Sequence, residues 1–300
     1  MKFQKITGVI VPLLTAFKGE HVDLDAMAGL IDFLIERRVA GLFPMGTTGE
    51  GPLMTTEERR QVAEWTVKCA SGRVPVIIHT GGIGTAETIA LTQHARDAGA
   101  DAAAIVPPYF YKLSNEAIYD HFSAVANATP DFPIYLYNNP GVTPNIISTE
   151  LVTQLTEAFP NVVGLKDSSG SLGTLFASRS LQGGTFNSAS GSDSIVLAGQ
   201  AIGLDACVSG NANFVPELVV ETLSTAKRGD LEAARILQAR LDEVRRILGD
   251  GSDLSLFKAI CAKRGIPVGD VRAPLRKASA EKISACWEQL NAIQALPISL

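Results

Sequence analysis

One lysine in this chain stands where an amine could turn a ketone into an electron sink. The apolar run Val162-Val-Gly-Leu-Lys166 ends in it, and no other expected strand ends in lysine. Among apolar walls, desolvation disfavours the ammonium and leaves a neutral nucleophile able to attack a carbonyl carbon. The bland alternative is a lysine that has simply reached solvent. A second run, Ile134-Tyr-Leu-Tyr137, alternates so that Tyr135 and Tyr137 share one face, with Tyr137 last before Asn138-Asn-Pro-Gly141 turns the chain. A phenol beside the amine could pass protons during carbonyl addition and carbon–carbon cleavage, although a lone tyrosine there is equally a core-edge residue. Directly after a third run, Gly46-Thr-Thr-Gly-Glu50 sets two hydroxyl residues between glycines. Such a turn exposes backbone N–H groups suited to holding a carboxylate. Gly/Thr turns are common, so its place after a strand carries the weight.

These residues need elements to position them. Short apolar runs at 8–13, 41–45, 76–79, 103–106, 134–137, 162–166, 186–190 and 206–209 read as strands. They are nearly continuous in apolar or small residues, as parallel strands covered on both faces should be. Helical patterns separate them. Thr55-Thr-Glu-Glu58 has a capping box, and Ser114 and Ser148 precede helices at 115–127 and 149–158 as N-caps. The alternation fits either a closed barrel or an open doubly wound sheet. The open form is expected to carry a Gly-rich dinucleotide turn after its first strand, and Thr15-Ala-Phe-Lys-Gly19 is no such turn. The expectation is therefore an α/β fold, a (β/α)8 TIM barrel over residues 1–211. Helices at 216–227, 231–248, 254–263 and 280–295 make residues 212–300 a C-terminal helical extension packed on it. In a barrel the strand C-termini carry the active site, where the lysine, tyrosine and threonines all fall.

Charge narrows the function classes. The 300 residues hold 26 Lys+Arg against 31 Asp+Glu, a formal net charge of −5, which argues against a nucleic-acid partner. A mean hydropathy of +0.17 excludes a disordered chain. No apolar run reaches the roughly 18–20 residues of a membrane-spanning helix. Gly8, Pro12 and the lack of a small-residue cleavage pattern argue against a signal peptide. Cys69, Cys207, Cys261 and Cys286 are scattered, and His21, His79, His94 and His121 form no ligand spacing. A reduced cytoplasm and no His/Cys metal site are expected. His79 ends the third strand at the border of the expected pocket and reads as structural there, Trp65 and Trp287 read as packing anchors, and Glu36-Arg-Arg38 as a solvated helix end. Asp23 and Asp25 suit the start of that helix.

Together Gly46-Thr-Thr-Gly-Glu50, Tyr-Asn-x-Pro at 137–140 and Gly-Leu-Lys-Asp-Ser-Ser-Gly at 164–170 resemble the dihydrodipicolinate synthase/N-acetylneuraminate lyase family. The resemblance runs from the first strand to the C-terminal helices. It implies a class I lyase that forms a Schiff base with a 2-oxo acid, usually pyruvate, without metal or organic cofactor. It also implies a homotetramer, a dimer of dimers. Carried over, Lys166 is the imine-forming lysine and Tyr137 the proton-transferring phenol. Thr47 and Thr48, with Gly46, receive the carboxylate, Thr47 also relaying protons. Asp193 in Ser190-Gly-Ser-Asp193 lines the mouth, and Ser209 faces the bound pyruvyl group.

Two departures shape the substrate expectation. Val142 stands where dihydrodipicolinate synthases carry an arginine that clamps the aldehyde's carboxylate. Phe110 aligns with a tyrosine those synthases borrow across a subunit interface. Pro107-Pro-Tyr-Phe-Tyr-Lys112 looks closer to the branch that cleaves or dehydrates 2-oxo-3-deoxy sugar acids, while Ser194 after Asp193 departs from the N-acetylneuraminate lyase pattern. The first expectation is thus a pyruvate-linked sugar-acid lyase, and the alternative is 4-hydroxy-tetrahydrodipicolinate synthesis from pyruvate and aspartate semialdehyde. A non-catalytic 2-oxo-acid-binding regulator is a further class. So is a phosphate-handling barrel resting on His79-Thr-Gly-Gly82 and Gly210.

Overall fold

The computed structural model describes residues 4–296, so the outermost limits of both expected divisions lie outside the described residues. Eight strands alternate with helices in chain order. They are β1 (Gly8–Val11), β2 (Gly41–Leu42), β3 (Ile77–His79), β4 (Ala102–Ile105), β5 (Ile134–Asn138), β6 (Val162–Asp167), β7 (Asn187–Ser190) and β8 (Ala206–Val208). The sheet runs β2-β1-β8-β7-β6-β5-β4-β3, every pairing parallel. A parallel bridge between Leu42 and Val76 joins its two ends. The closed barrel, not the open sheet, is the fold. β2 is shorter than its apolar run because Pro44 has no N–H to give the ladder. The Phe43 N–H still reaches the Val11 carbonyl at 2.7 Å, keeping the strand's end in line.

Period-two alternation divides the side chains as the strand sequences require. Tyr135 and Tyr137 of β5 point into the barrel with Ile10, Phe43 and Ala104. Ile134 and Leu136 face the outer helices. Those helices start where capping chemistry says they should. The first, α1 (Leu24–Glu36), has Asp23 as N-cap, its side chain accepting from the Ala26 N–H. In α2 (Thr56–Ala70) both halves of the Thr55/Glu58 capping box form. Ser114 caps α4 (Asn115–Ala128) and Ser148 caps α5 (Thr149–Ala158); α3 (Thr85–Asp97) has no side-chain cap. The pair α6 (Leu172–Ser178) and α7 (Val196–Ala201) are short.

Beyond β8, α8 (Pro216–Lys227) packs over β1, one element past the expected division at 211. Three helices follow: α9 (Leu231–Ile247), α10 (Leu254–Lys263) and α11 (Ala280–Ala292). Their Leu241, Phe257 and Leu290 join the same apolar cluster as Val9 and Val11 of β1. Two features depart from the sequence reading. Phe17–Lys18 and His21–Val22 pair as a small antiparallel ribbon around Gly19, which sits at φ 61°. Arg37 is no solvated helix end: its Nε meets Glu217 of α8 at 2.6 Å while its guanidinium covers the Phe33 ring.

Candidate active site

A cavity of about 1070 Å³ opens at the C-terminal ends of the strands. Lys166, Tyr137, Thr47, Thr48, His79 and Asp193 all line it. The register of β5 on β6 makes Tyr137 the direct partner of Lys166, so the neighbourhood read from strand order is realised. Lys166 is only 5% exposed. Its Nζ lies 3.9 Å from the centre of the Tyr137 ring and 4.3 Å from that of Phe43. Burial among these rings pulls its pKa below the ordinary lysine value, with the Tyr137 phenol opposing. Next along the strand, Asp167 points the other way and stays out of the cavity lining. Its carboxylate is occupied by Asn138 Nδ2 at 2.9 Å and the Ser169 N–H at 2.7 Å.

The Tyr137 phenol sits in a hydrogen-bonded corner. Its oxygen accepts from Asn139 Nδ2 at 2.8 Å and meets the Thr47 hydroxyl at 3.3 Å. Burial pushes its pKa up, but the Lys166 charge and the bonds from Thr47, Asn139 and Lys166 outweigh it and leave the phenol below its usual value. Both shifts run downward, the amine's toward its neutral form, and the two groups lie close enough to exchange a proton.

Thr47 and Thr48 come from the turn after β2. That turn is tight: a Cβ on Gly49 would stand 2.7 Å from the Met45 nitrogen and 2.8 Å from the Leu13 carbonyl oxygen. The Thr15 hydroxyl donates to the Gly49 carbonyl at 2.6 Å, tying the turn to the chain after β1. Gly46 is buried against the Phe43 ring. Asp193 reaches the cavity from the loop after β7, where its Oδ2 accepts from Asn211 Nδ2 at 2.9 Å. Burial lifts its carboxyl to about 6, against the pull of Ser209 and Asn211.

Two expected residues stand elsewhere. Ser209 is fully buried behind the wall, its hydroxyl accepting from the Ala212 N–H at 3.2 Å, and Val208 and Gly210 line the cavity in its place. Phe110 is 79% exposed at φ 82° and packs edge-on to Tyr111, outside the lining. Three other residues gain importance. Phe43 supplies the second ring over Lys166, and Asn139 orients the phenol. His79 stands edge-on to Tyr137 at 5.8 Å with both ring nitrogens buried, and is held neutral by burial, Arg59 and Lys166. The period-two face shared with Gly41 marks Phe43 in the sequence; Asn139 reads there only as part of a turn.

Among the described residues, no group of three or more His, Cys, Asp or Glu side chains is arranged to hold a metal ion. No described helix is long and apolar enough to cross a membrane.

Comparison with known proteins agrees with this geometry. The profile of the dihydrodipicolinate synthetase family matches residues 5–293. A 4-hydroxy-tetrahydrodipicolinate synthase of Rhizobium meliloti is 39% identical over 268 residues, covering 89% of this chain and 91% of that protein. The Aquifex aeolicus synthase is 35% identical over 95% of this chain and 96% of its own length. The crystal structure of dihydrodipicolinate synthase from Aquifex aeolicus superimposes with a TM-score of 0.91 at 34% identity, covering 98% of this chain and all of that one. YagE, a prophage protein of the same family from E. coli K12 solved with pyruvate, gives 0.90 at 30% identity over 96% of this chain and 99% of its own. By its family profile, its relatives and its fold, this chain is a lyase of the class I aldolase type and belongs to the dihydrodipicolinate synthetase family.

Proposed function

We propose that this protein works through an imine between Lys166 and pyruvate, and that its first candidate reaction is 4-hydroxy-tetrahydrodipicolinate synthesis with aspartate semialdehyde. The observation that carries the imine is the buried amine of Lys166 in register with Tyr137 at the cavity floor. The neutral amine attacks the ketone carbon; the carbinolamine loses water to give a protonated imine. That cation accepts the electron pair released when a C3 proton leaves, forming an enamine. The enamine carbon then attacks the aldehyde, whose oxygen takes a proton from Tyr137, and the amine of that substrate attacks the imine carbon, closing the ring as the new cyclic imine and expelling the Lys166 amine. Thr47 and Thr48, on the N–H-rich turn, hold the pyruvyl carboxylate. Asp193 lies across the mouth, on the side of the second substrate.

The synthase reading draws its support from the named relatives, which reverse the order of preference suggested by the departures at Val142 and Phe110. A sugar-acid lyase is the second reading. Val142 favours it, being a neutral, 48% exposed side chain in the cavity lining. The same enamine then arises by cleaving the C3–C4 bond of a 2-oxo-3-deoxy acid. Borohydride reduction with pyruvate tests the shared step. Irreversible labelling of the parent and none of Lys166→Ala is expected, and equal labelling of both overturns the assignment. Pyruvate consumption with aspartate semialdehyde then separates the readings from pyruvate release by 2-oxo-3-deoxy aldonates. A homotetramer in the cytoplasm is the setting proposed here; four unpaired cysteines and the exposed Phe110 and Tyr111 support it.

A further inference from the structure

The Gly46–Glu50 turn ends on an unusual residue. Glu50 holds φ 54°, the left-handed region that side chains other than glycine rarely adopt, and its side chain is completely buried. Glu50 borders the cavity, and its carboxylate reaches toward the C-terminal helices. Oε1 lies 2.6 Å from Lys258 Nζ of α10, the two side chains being 0% and 1% exposed. Oε2 accepts from the Arg272 N–H at 2.8 Å. Lys258 also donates to the Asp270 carbonyl at 2.9 Å and stands 4.3 Å over the Phe17 ring. Arg272 covers the same ring at 4.1 Å, donates to the Leu53 carbonyl at 3.2 Å and pairs with Glu58. The turn is therefore gripped by residues more than 200 positions later, through an ion pair whose two side chains are almost wholly out of water.

A buried ion pair is a poor stabiliser, since apolar residues of the same volume often do as well or better. What such a pair does supply is one fixed geometry, the quality a turn presenting hydroxyls and N–H groups to a carboxylate requires. We propose that Glu50 and Lys258 are positioning residues. Their ion pair lets the C-terminal helices set Thr47 and its turn against the 2-oxo-acid carboxylate and the Tyr137 phenol. This rests on the proposed role of the turn in holding pyruvate.

The test is the pyruvate dependence of borohydride labelling, read beside thermal melting, for Lys258→Met, the double variant Glu50→Gln/Lys258→Met, and Glu50→Asp. Removing both charges relieves the unpaired charge left by the single change, so the double variant should melt closer to the parent than Lys258→Met. Its half-saturating pyruvate should nonetheless rise by about tenfold or more, with labelling at saturation kept within about threefold. Glu50→Asp keeps both charges and shortens the arm, so the same rise is expected in a protein that folds. A double variant, or Glu50→Asp if the double does not fold, that melts like the parent and saturates at the same pyruvate concentration overturns the inference. A parent that takes no pyruvate label sinks the proposed function and this inference together.

Discussion

A catalytic amine in a dry site is a destabilised amine. Lys166 loses hydration on folding, and no carboxylate figures among the groups acting on its pKa. Below the folded-state pKa both the folded and unfolded chains carry the proton, and the native state bears the full desolvation penalty. Above it the unfolded chain binds more protons than the native one, so stability rises with pH toward the unfolded lysine value of about 10.4. Lys166→Met removes the penalty at similar volume. It should therefore melt above the parent near about pH 7, with the advantage shrinking toward about pH 10. Melting curves across that range check it; a methionine variant less stable than the parent at neutral pH contradicts the account. His79 belongs to the same argument. The sequence puts this strand-end histidine at the border of the pocket as a structural residue, and the tertiary structure sets it in the cavity wall edge-on to Tyr137, with the Arg59 guanidinium bonding the His79 carbonyl at 3.0 Å.

At the scale of elements, β6 is what presents Lys166, and its placement depends on a residue that does no chemistry. A Cβ on Gly164 would run into the Tyr135 ring and stand 2.9 Å from the Asn187 carbonyl oxygen. Tyr135 is 1% exposed and its hydroxyl bonds Asn187, so neither neighbour has room to give. Gly164→Ala should cost about 1–3 kcal/mol or more through overpacking and should also weaken pyruvate labelling, because β6 must shift. Denaturant unfolding with labelling measures both, and an alanine variant of parental stability and labelling contradicts the packing account. Strand order and facing were legible: the alternation of Ile134-Tyr-Leu-Tyr137 puts both tyrosines on one face, and the closed barrel turns that face inward. Strand ends were less so. The run at 41–45 gives only Gly41–Leu42 because proline breaks the ladder, and the ribbon around Gly19 is too short for periodicity to show.

At the scale of the molecule, Phe110 at 79% and Tyr111 at 64% exposure form an exposed aromatic pair, the kind of surface the proposed homotetramer would draw on. Val142 and Ile146, both exposed, lie in the loop after β5. A second copy of the chain would cover such a face. Phe110→Asp is expected to lower the molar mass seen by light scattering while leaving the far-ultraviolet circular dichroism unchanged. An unchanged mass removes Phe110 from any interface.

The amino-acid sequence by itself determined the barrel, its strand faces, and the amine, phenol and hydroxyl turn at one end of it. These follow from local periodicity, capping and the rule that barrel strands deliver their last residues to a common rim. Only the tertiary structure decided that Phe43 roofs Lys166, that Asn139 orients Tyr137, that Ser209 lies behind the wall, and that Glu50 is held by Lys258. The Phe43 and Glu50 contacts join residues whose separation in the chain carries no signal, and the directions of Asn139 and Ser209 are set only when their turns pack. Burial and electrostatic environment exist only once the chain has closed on itself.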